Sequence, residues 1–328
     1  MTKMLTLFVL VLSIAGFSDA TGEGAIKQTE TQCPWSDPVN LGPNVNSEYN
    51  DITPGISPDG LGIYFDSPRL GGIPPAEPNP SAEDIWVSHR ASVNDPWQPA
   101  VNVTVINSPA HDAAPSLTPD GLTMYFHSGR ANHCGLVPRY DAIFVTHRTD
   151  PTDDFGWDTP QDVGCQLLTS PGDSSGPAFF QDGSRPTLFF AGGSVFDVTQ
   201  YDIYTSTMDC DGQFCAGVLV PELSSPAPYQ DTRPTIRLDG LEILISSNRP
   251  GTMPSAGGPK DLFAATRPST SDPWGEPVNI GPPVNTNSAE AGPQLSADGL
   301  TLFFSSDRTD LGGFGGHDLY VSTRACVP

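Results

Sequence analysis

Apolar and polar positions alternate along short stretches of this chain, as in LTLFFSS at residues 300–306, and the alternation restarts at similar intervals. A period of two sets one face of each stretch against a core and the other toward solvent, the pattern of a β-strand. Ahead of each such stretch lies a proline-containing strand such as GPQLS, and between the two stands an Asp-Gly turn. Proline presets φ and glycine tolerates positive φ, so Pro-Asp-Gly between apolar runs predicts a tight antiparallel turn. A long polar loop and a further strand, DLYVSTR, complete the unit, and a Trp-led segment such as WGEPVNIG supplies the outermost strand.

The unit is written five times. TPGISPDGLGIYFDSPR (53–69) returns as APSLTPDGLTMYFHSGR (114–130) and GPQLSADGLTLFFSSDR (292–308), and the turn aspartates Asp59, Asp120, Asp182, Asp239 and Asp298 are 61, 62, 57 and 59 residues apart. Trp35, Trp97, Trp157 and Trp274 open four copies, and Phe214 stands in the remaining one. One small four-stranded sheet cannot bury both faces, whereas five packed around an axis cover one another. The sequence therefore predicts an all-β fold, a five-bladed β-propeller of four-stranded antiparallel blades. Over residues 35–324 the repeats, SPDGLGIYFDSPR followed by EDIWVSHR above all, resemble those of the TolB-type, WD-like propeller family. That resemblance implies a propeller that serves as a binding platform. The third copy departs most, because FFQDGSRPTLFFAGGS lacks the Ser-x-Arg found at Ser67, Ser128, Ser247 and Ser306.

The chain enters on an outer strand at Trp35 and stops after a third strand at Arg324, so the first strand must complete the last blade. This puts Cys33 beside Cys326 and predicts a disulfide that seals the ring. Cys210 and Cys215 are expected to pair across a hairpin, and Cys134 with Cys165 between two loops on one face. Residues 1–20, with Lys3, an apolar core and small residues at Ser18 and Ala20, have the form of a signal peptide; 21–32 are expected to be a flexible segment and 33–328 the propeller. Export places the six cysteines in an oxidising compartment, and the protein is expected to be secreted or periplasmic, monomeric and not inserted in a membrane. A formal net charge of −23 excludes nucleic acid as a partner.

Long second-strand loops, at 70–83, 131–140, 192–201, 250–260 and 309–317, should gather on one face of the ring. At that mouth each copy carries an acid three or four residues before a proline: Asp51, Asp112, Asp173, Asp231 and Glu290. Carboxylates about 8 Å apart at an effective dielectric near 40 repel by about 1 kcal/mol per pair, so something must neutralise them. Arg69, Arg130, Arg249 and Arg308 are the expected partners; the alternative is a cation, with Ca²⁺ the candidate, or a cationic or hydroxyl-rich ligand. A second set, Asp84, Asp141, Asp202, Asp261 and Asp318, opens each third strand and is assigned to scaffolding. His111, His127 and His133 all belong to the second copy and form a weak metal-site candidate.

No nucleophile elbow, phosphate loop or dinucleotide fingerprint is present. The leading expectation is a binding module that takes a protein, peptide or glycan above the acidic channel, and the balance leans away from catalysis. The alternative is a glycosidase-like enzyme using paired carboxylates at the same mouth, a reading that a ring blocked by arginine pairs would defeat.

Overall fold

The computed structural model describes residues 33–74, 82–130, 141–167, 172–194, 197–253 and 260–328; the expected leader, His133 and the Cys134–Cys165 bridge lie outside them. Five antiparallel sheets succeed one another along the chain, and no α-helix occurs among the described residues. The innermost strands are Ile52–Ile56, Asp112–Leu117, Gly172–Asp182, Asp231–Ile236 and Glu290–Leu295. The outermost are two residues long, as at Val101–Asn102 and Val278–Asn279. The chain is thus a five-bladed β-propeller. Its core consists of five apolar layers, one between each pair of neighbouring blades, such as Tyr64, Ile85 and Val87 against Met124, Phe126 and Phe144.

The ring closes as the phase of the repeat requires. Val39–Asn40, from the start of the chain, pairs antiparallel with Asp318–Thr323 at its end, with Val39 opposite Val321. Cys33 and Cys326 are disulfide-bonded there with Cα atoms 5.4 Å apart, and Cys210 is bonded to Cys215.

The tryptophans stand ahead of the outer strands rather than within them. Their rings lie under an arginine from the end of the third strand: Arg90 over Trp97, Arg148 over Trp157, Arg267 over Trp274 and Arg324 over Trp35, at 4.2–4.4 Å. The third copy has Met208 opposite Phe214, an apolar pair for a cation and a ring. Its strands Arg185–Ser194 and Asp197–Cys210 run 10 and 14 residues, so the expected loop at 192–201 is instead a prolonged hairpin.

The inner strands meet tightly at the axis. In each copy the residue before the proline is left-handed: Thr53, Ala114, Gly176, Arg233 and Gly292 have φ between 44° and 58°. A Cβ on Gly292 would lie 3.0 Å from the Thr53 Cα, and one on Gly176 3.2 Å from the Arg233 Cα. These residues and their prolines line a waist with about 20 Å³ of free space, which separates the loop-side mouth from a cavity of about 210 Å³ on the turn side.

The two bridges close loops of very different length, with separations of 293 and 5 residues. Loop-closure entropy assigns about 5 to 6 kcal/mol to the first and about 2 to the second. In denaturant titrations Cys33→Ser/Cys326→Ser is expected to lose more than twice the stability lost by Cys210→Ser/Cys215→Ser; equal losses would contradict ring sealing by the first bridge.

Candidate functional site at the loop-side mouth

Four of the ring acids are held by the arginine of their own blade. Asp51 pairs with Arg69, Asp112 with Arg130 at 2.5 Å, Asp231 with Arg249 at 2.6 Å and Glu290 with Arg308 at 3.1 Å, and each of these carboxylates is fully buried. Their remaining lone pairs accept from the preceding loop: Asp112 from the Ser108 amide and hydroxyl at 2.6 and 2.8 Å, Glu290 from those of Thr286 at 2.9 and 2.8 Å. Each arginine also donates to a carbonyl of that loop, Arg130 to Ile106 and Arg249 to Leu223. The clamp fixes the segment that leads into the inner strand. With their oxygens occupied, these acids are offered neither to Ca²⁺ nor to a substrate. Arginine blocks the ring, the outcome set to defeat a glycosidase built on these acids, so any catalytic pair at the mouth must come from other carboxyls.

The fifth acid is not a member of the ring. Asp173 lies four residues before Pro177, where the other acids lie three before theirs, and the strand register puts Ser174 opposite Gly192 where Asp112 faces Ser128 and Asp231 faces Ser247. The third copy has therefore lost the acid together with its arginine. Asp173 accepts instead from the Tyr201 hydroxyl at 2.6 Å and the Asp141 amide at 2.9 Å.

A second displacement corrects the scaffolding set. Asp84, Asp261 and Asp318 do hold the blade together: each accepts from a loop amide and from the outer-strand asparagine, Asn102, Asn279 or Asn40, at 2.5–3.0 Å. Asp141 does not, because in its blade Ala142 faces Ser128, the position Asp84 takes opposite Ser67. Six residues separate Asp84 from Arg90, Asp261 from Arg267 and Asp318 from Arg324, whereas seven separate Asp141 from Arg148. The extra residue moves Asp141 one place inward.

The place it enters is the residue just before the scaffold aspartate, which differs in every blade: Glu83, Asp141, Tyr201, Lys260 and His317. The carbonyls of Glu83, Asp141, Lys260 and His317 each accept an amide from the next blade at 2.8–3.0 Å, which fixes these residues around the mouth. The mouth is polarised, with acids on the first and second blades and nitrogen bases on the fourth and fifth. Behind them, a second-strand side chain accepts the amide of the left-handed residue of the next blade. Asp66 takes Ala114 at 3.0 Å, His127 takes Gly176 at 3.2 Å, and Ser246 takes Gly292 at 2.9 Å.

Hydrogen-bond direction assigns the protons of the histidine pair. His127 Nδ1 accepts from Gly176, so a neutral ring carries its proton on Nε2 and donates it to His111 Nε2, 3.1 Å away. His111 then holds its proton on Nδ1, 3.2 Å from Glu83 Oε2. Burial lowers the pKa of both imidazoles, His111 to about 4, which keeps them neutral. His111, His127 and Asp141 bring ligand atoms within 4.8 Å of one another, but His127 would have to bind a metal through the nitrogen that bears its proton. The geometry suits a proton-ordered chain better than a metal centre.

Burial raises the pKa of the carboxyls here: Asp66 far up with Glu83's charge adding to it, Glu83 itself up, and Asp141 up to about 7 with help from Asp173's charge. Arg233, whose guanidinium opposes all three rises, is in no ion pair among the described residues. Asp66 Oδ2, Arg233 Nη1 and His317 Nδ1 are buried without a hydrogen-bond partner. Asp66, Glu83, Asp141, Lys260, His317 and Arg233 were all outside the site expected from sequence; the irregular spacings at Asp141 and Asp173 were the available signal.

No protein-family model and no curated protein matches the chain. Solved structures do. The α-L-arabinofuranosidase PaAbf62A from Podospora anserina matches with a TM-score of 0.54 at 12% identity, over 90% of this chain and 97% of its own. A thermostable family-43 glycoside hydrolase matches with 0.56 at 13%, over 87% and 92%. A family 117 glycoside hydrolase from the marine bacterium Zobellia galactanivorans gives 0.55 at 13%, over 89% and 90%. At these identities the likeness establishes the fold. The leading expectation of a binding module is corrected on this finding, since these three propellers are described as glycoside hydrolases.

Because Asp141 binds its proton more tightly folded than unfolded, the stability it contributes is full below its ordinary value of 3.8 and is lost as pH rises toward 7. Asp141→Asn is expected to raise the urea midpoint at pH 8 and to leave it near wild type at pH 4. A shift of equal size at both pH values would contradict the buried, protonated carboxyl.

Proposed function

We propose that the protein is a carbohydrate-active enzyme that hydrolyses a glycosidic bond at the loop-side mouth. The observation that carries this reading is the set of buried carboxyls on adjoining blades, Asp66, Glu83 and Asp141, which burial raises to different extents, since acid and base must differ in proton affinity to act together at one pH. Asp141, with a pKa raised to about 7, is still partly protonated at neutral pH and gives its proton to the leaving-group oxygen. The charge of Glu83 adds to burial in raising the fully buried Asp66, so in this scheme Asp66 is the one of the two to take the proton. Glu83 is left as the carboxylate that attacks the anomeric carbon or activates water, and the His111 Nδ1–H holds it in place. Glycosidases of both stereochemical outcomes need two such groups, and their separation decides between retention and inversion.

Disulfides and the signal-peptide-like leader support a secreted or periplasmic enzyme, the compartment in which polysaccharides are met. The TolB type of the repeat rests on its consensus. Neighbours described as α-L-arabinofuranosidases make α-L-arabinofuranosides the first substrates to try.

Wild type is expected to release reducing sugar from a panel of aryl glycosides and plant polysaccharides, and Asp141→Asn and Glu83→Gln each to lower kcat/KM by at least about a hundredfold. Activity should fall as pH rises through about 7, because the donor loses its proton. Turnover that neither substitution affects would overturn the assignment.

A further inference from the structure

Arg233 is the group the hydrolytic scheme leaves unused. The left-handed position before proline holds Thr53, Ala114, Gly176 and Gly292 in the other copies, small residues suited to a crowded axis, and a long side chain only in the fourth. A positive φ of 53° on arginine is a strained choice where glycine serves elsewhere. What the strain secures is a guanidinium at the mouth, close enough to act electrostatically on Asp66, Glu83, Asp141, Lys260 and His317. Yet no carboxylate of the described residues is in ion-pair contact with it, and Nη1 is buried with no acceptor. By contrast, each of the four ring arginines is bonded to an acid of its own blade.

Two further nitrogen groups flank it. Lys260, on the same blade, donates to the hydroxyl of Thr232, the residue next to Arg233, at 3.3 Å. Burial, with Arg233's charge adding to it and Asp231's opposing it, lowers the Lys260 pKa to about 8, so most of the ammonium remains charged at neutral pH. His317, on the fifth blade, has its Nδ1 buried without a partner. Three nitrogen groups thus face the acids of the first two blades across the mouth.

We propose that Arg233, Lys260 and His317 form an anion subsite that receives the carboxylate of a uronic acid residue in the sugar substrate. This rests on reading the mouth as a sugar site. A guanidinium offers two parallel N–H groups at the spacing of a carboxylate's oxygens, so a planar carboxylate suits it better than a point acceptor. The bound carboxylate would supply the counter-charge that the half-buried Arg233 lacks among the described residues and place the uncharged part of the glycan toward Asp141 and Glu83. The net charge of −23 sets the charge density of that glycan. A polyuronate would be repelled over its length, whereas one uronate in a neutral chain meets mainly the local cations, since screening in physiological salt acts over about 8 Å.

The test measures binding by calorimetry on the Asp141→Asn protein, with and without Arg233→Gly. Glycine occupies this position in two other copies, so the variant is expected to fold and to melt no lower. The probes are a xylo-oligosaccharide bearing one glucuronic acid, its undecorated counterpart and a monosulfated oligosaccharide of the same length. The uronate probe should bind more tightly than the neutral one, and Arg233→Gly should weaken it by about ten- to a hundredfold, the range of a charge-assisted hydrogen bond, with the neutral probe unchanged. Equal binding of the uronate and neutral probes, or equal losses for both in the variant, would overturn the subsite. Tighter binding of the sulfated probe would overturn the carboxylate assignment. Because the readout is binding, the two readings fail separately. A protein that hydrolyses neutral sugars and ignores uronates loses only the subsite, and one that binds uronates through Arg233 but cleaves nothing loses only the enzyme.

Discussion

Crowding at the axis is the constraint from which the rest of the molecule follows. Five inner strands converge so closely that a Cβ on Gly55 would overlap the Pro115 carbonyl, and the residue before each proline adopts a left-handed backbone to fit. That conformation turns its amide toward the preceding blade, where a buried N–H must find an acceptor. At three interfaces the acceptor is a second-strand side chain, and two of these, Asp66 and His127, are titratable. The contacts that join the first three blades therefore also hold an acid and an imidazole dry at the centre. Burial pushes Asp66 toward its protonated form and His127 toward its neutral one for the same reason, the cost of a charge in that place.

The fold was legible because its signals recur. An Asp-Gly turn or a Trp ahead of a strand is weak alone, but recurrence at nearly constant spacing fixes the number of blades, and the phase of the repeat fixes how the ring closes. The site was legible only where the pattern breaks. Aligning the copies on their aspartates took Asp141 for a scaffold group and Asp173 for a ring acid, since a single extra residue leaves the letter in place and moves the side chain. Counting back from Arg148 or from Pro177 exposes both shifts. Glu83, Lys260 and His317 escaped because they differ between copies, and comparison of repeats rewards what is the same.

Paired losses follow one rule. Where the third blade lacks the ring arginine, register puts a serine in the acid's place; where it lacks the arginine over the ring, Met208 and Phe214 pack instead; where the second blade has Ala142 for the scaffold aspartate, Asp162 stands for the outer-strand asparagine. Removing one member of a buried polar pair leaves the other uncompensated, at about 3 to 5 kcal/mol for an ion pair, so the partners change together. The irregular blades adjoin the acidic half of the mouth, where departure from the repeat leaves room for chemistry.

The bond between Cys33 and Cys326 also changes what it means for this polypeptide to have ends. Traced through that sulfur link the backbone is a loop, and the five turns at Asp59, Asp120, Asp182, Asp239 and Asp298 are near-equivalent places to open it. A single proteolytic nick at any of them would release no fragment, and a gene rearranged to begin at one of these turns would encode the same object.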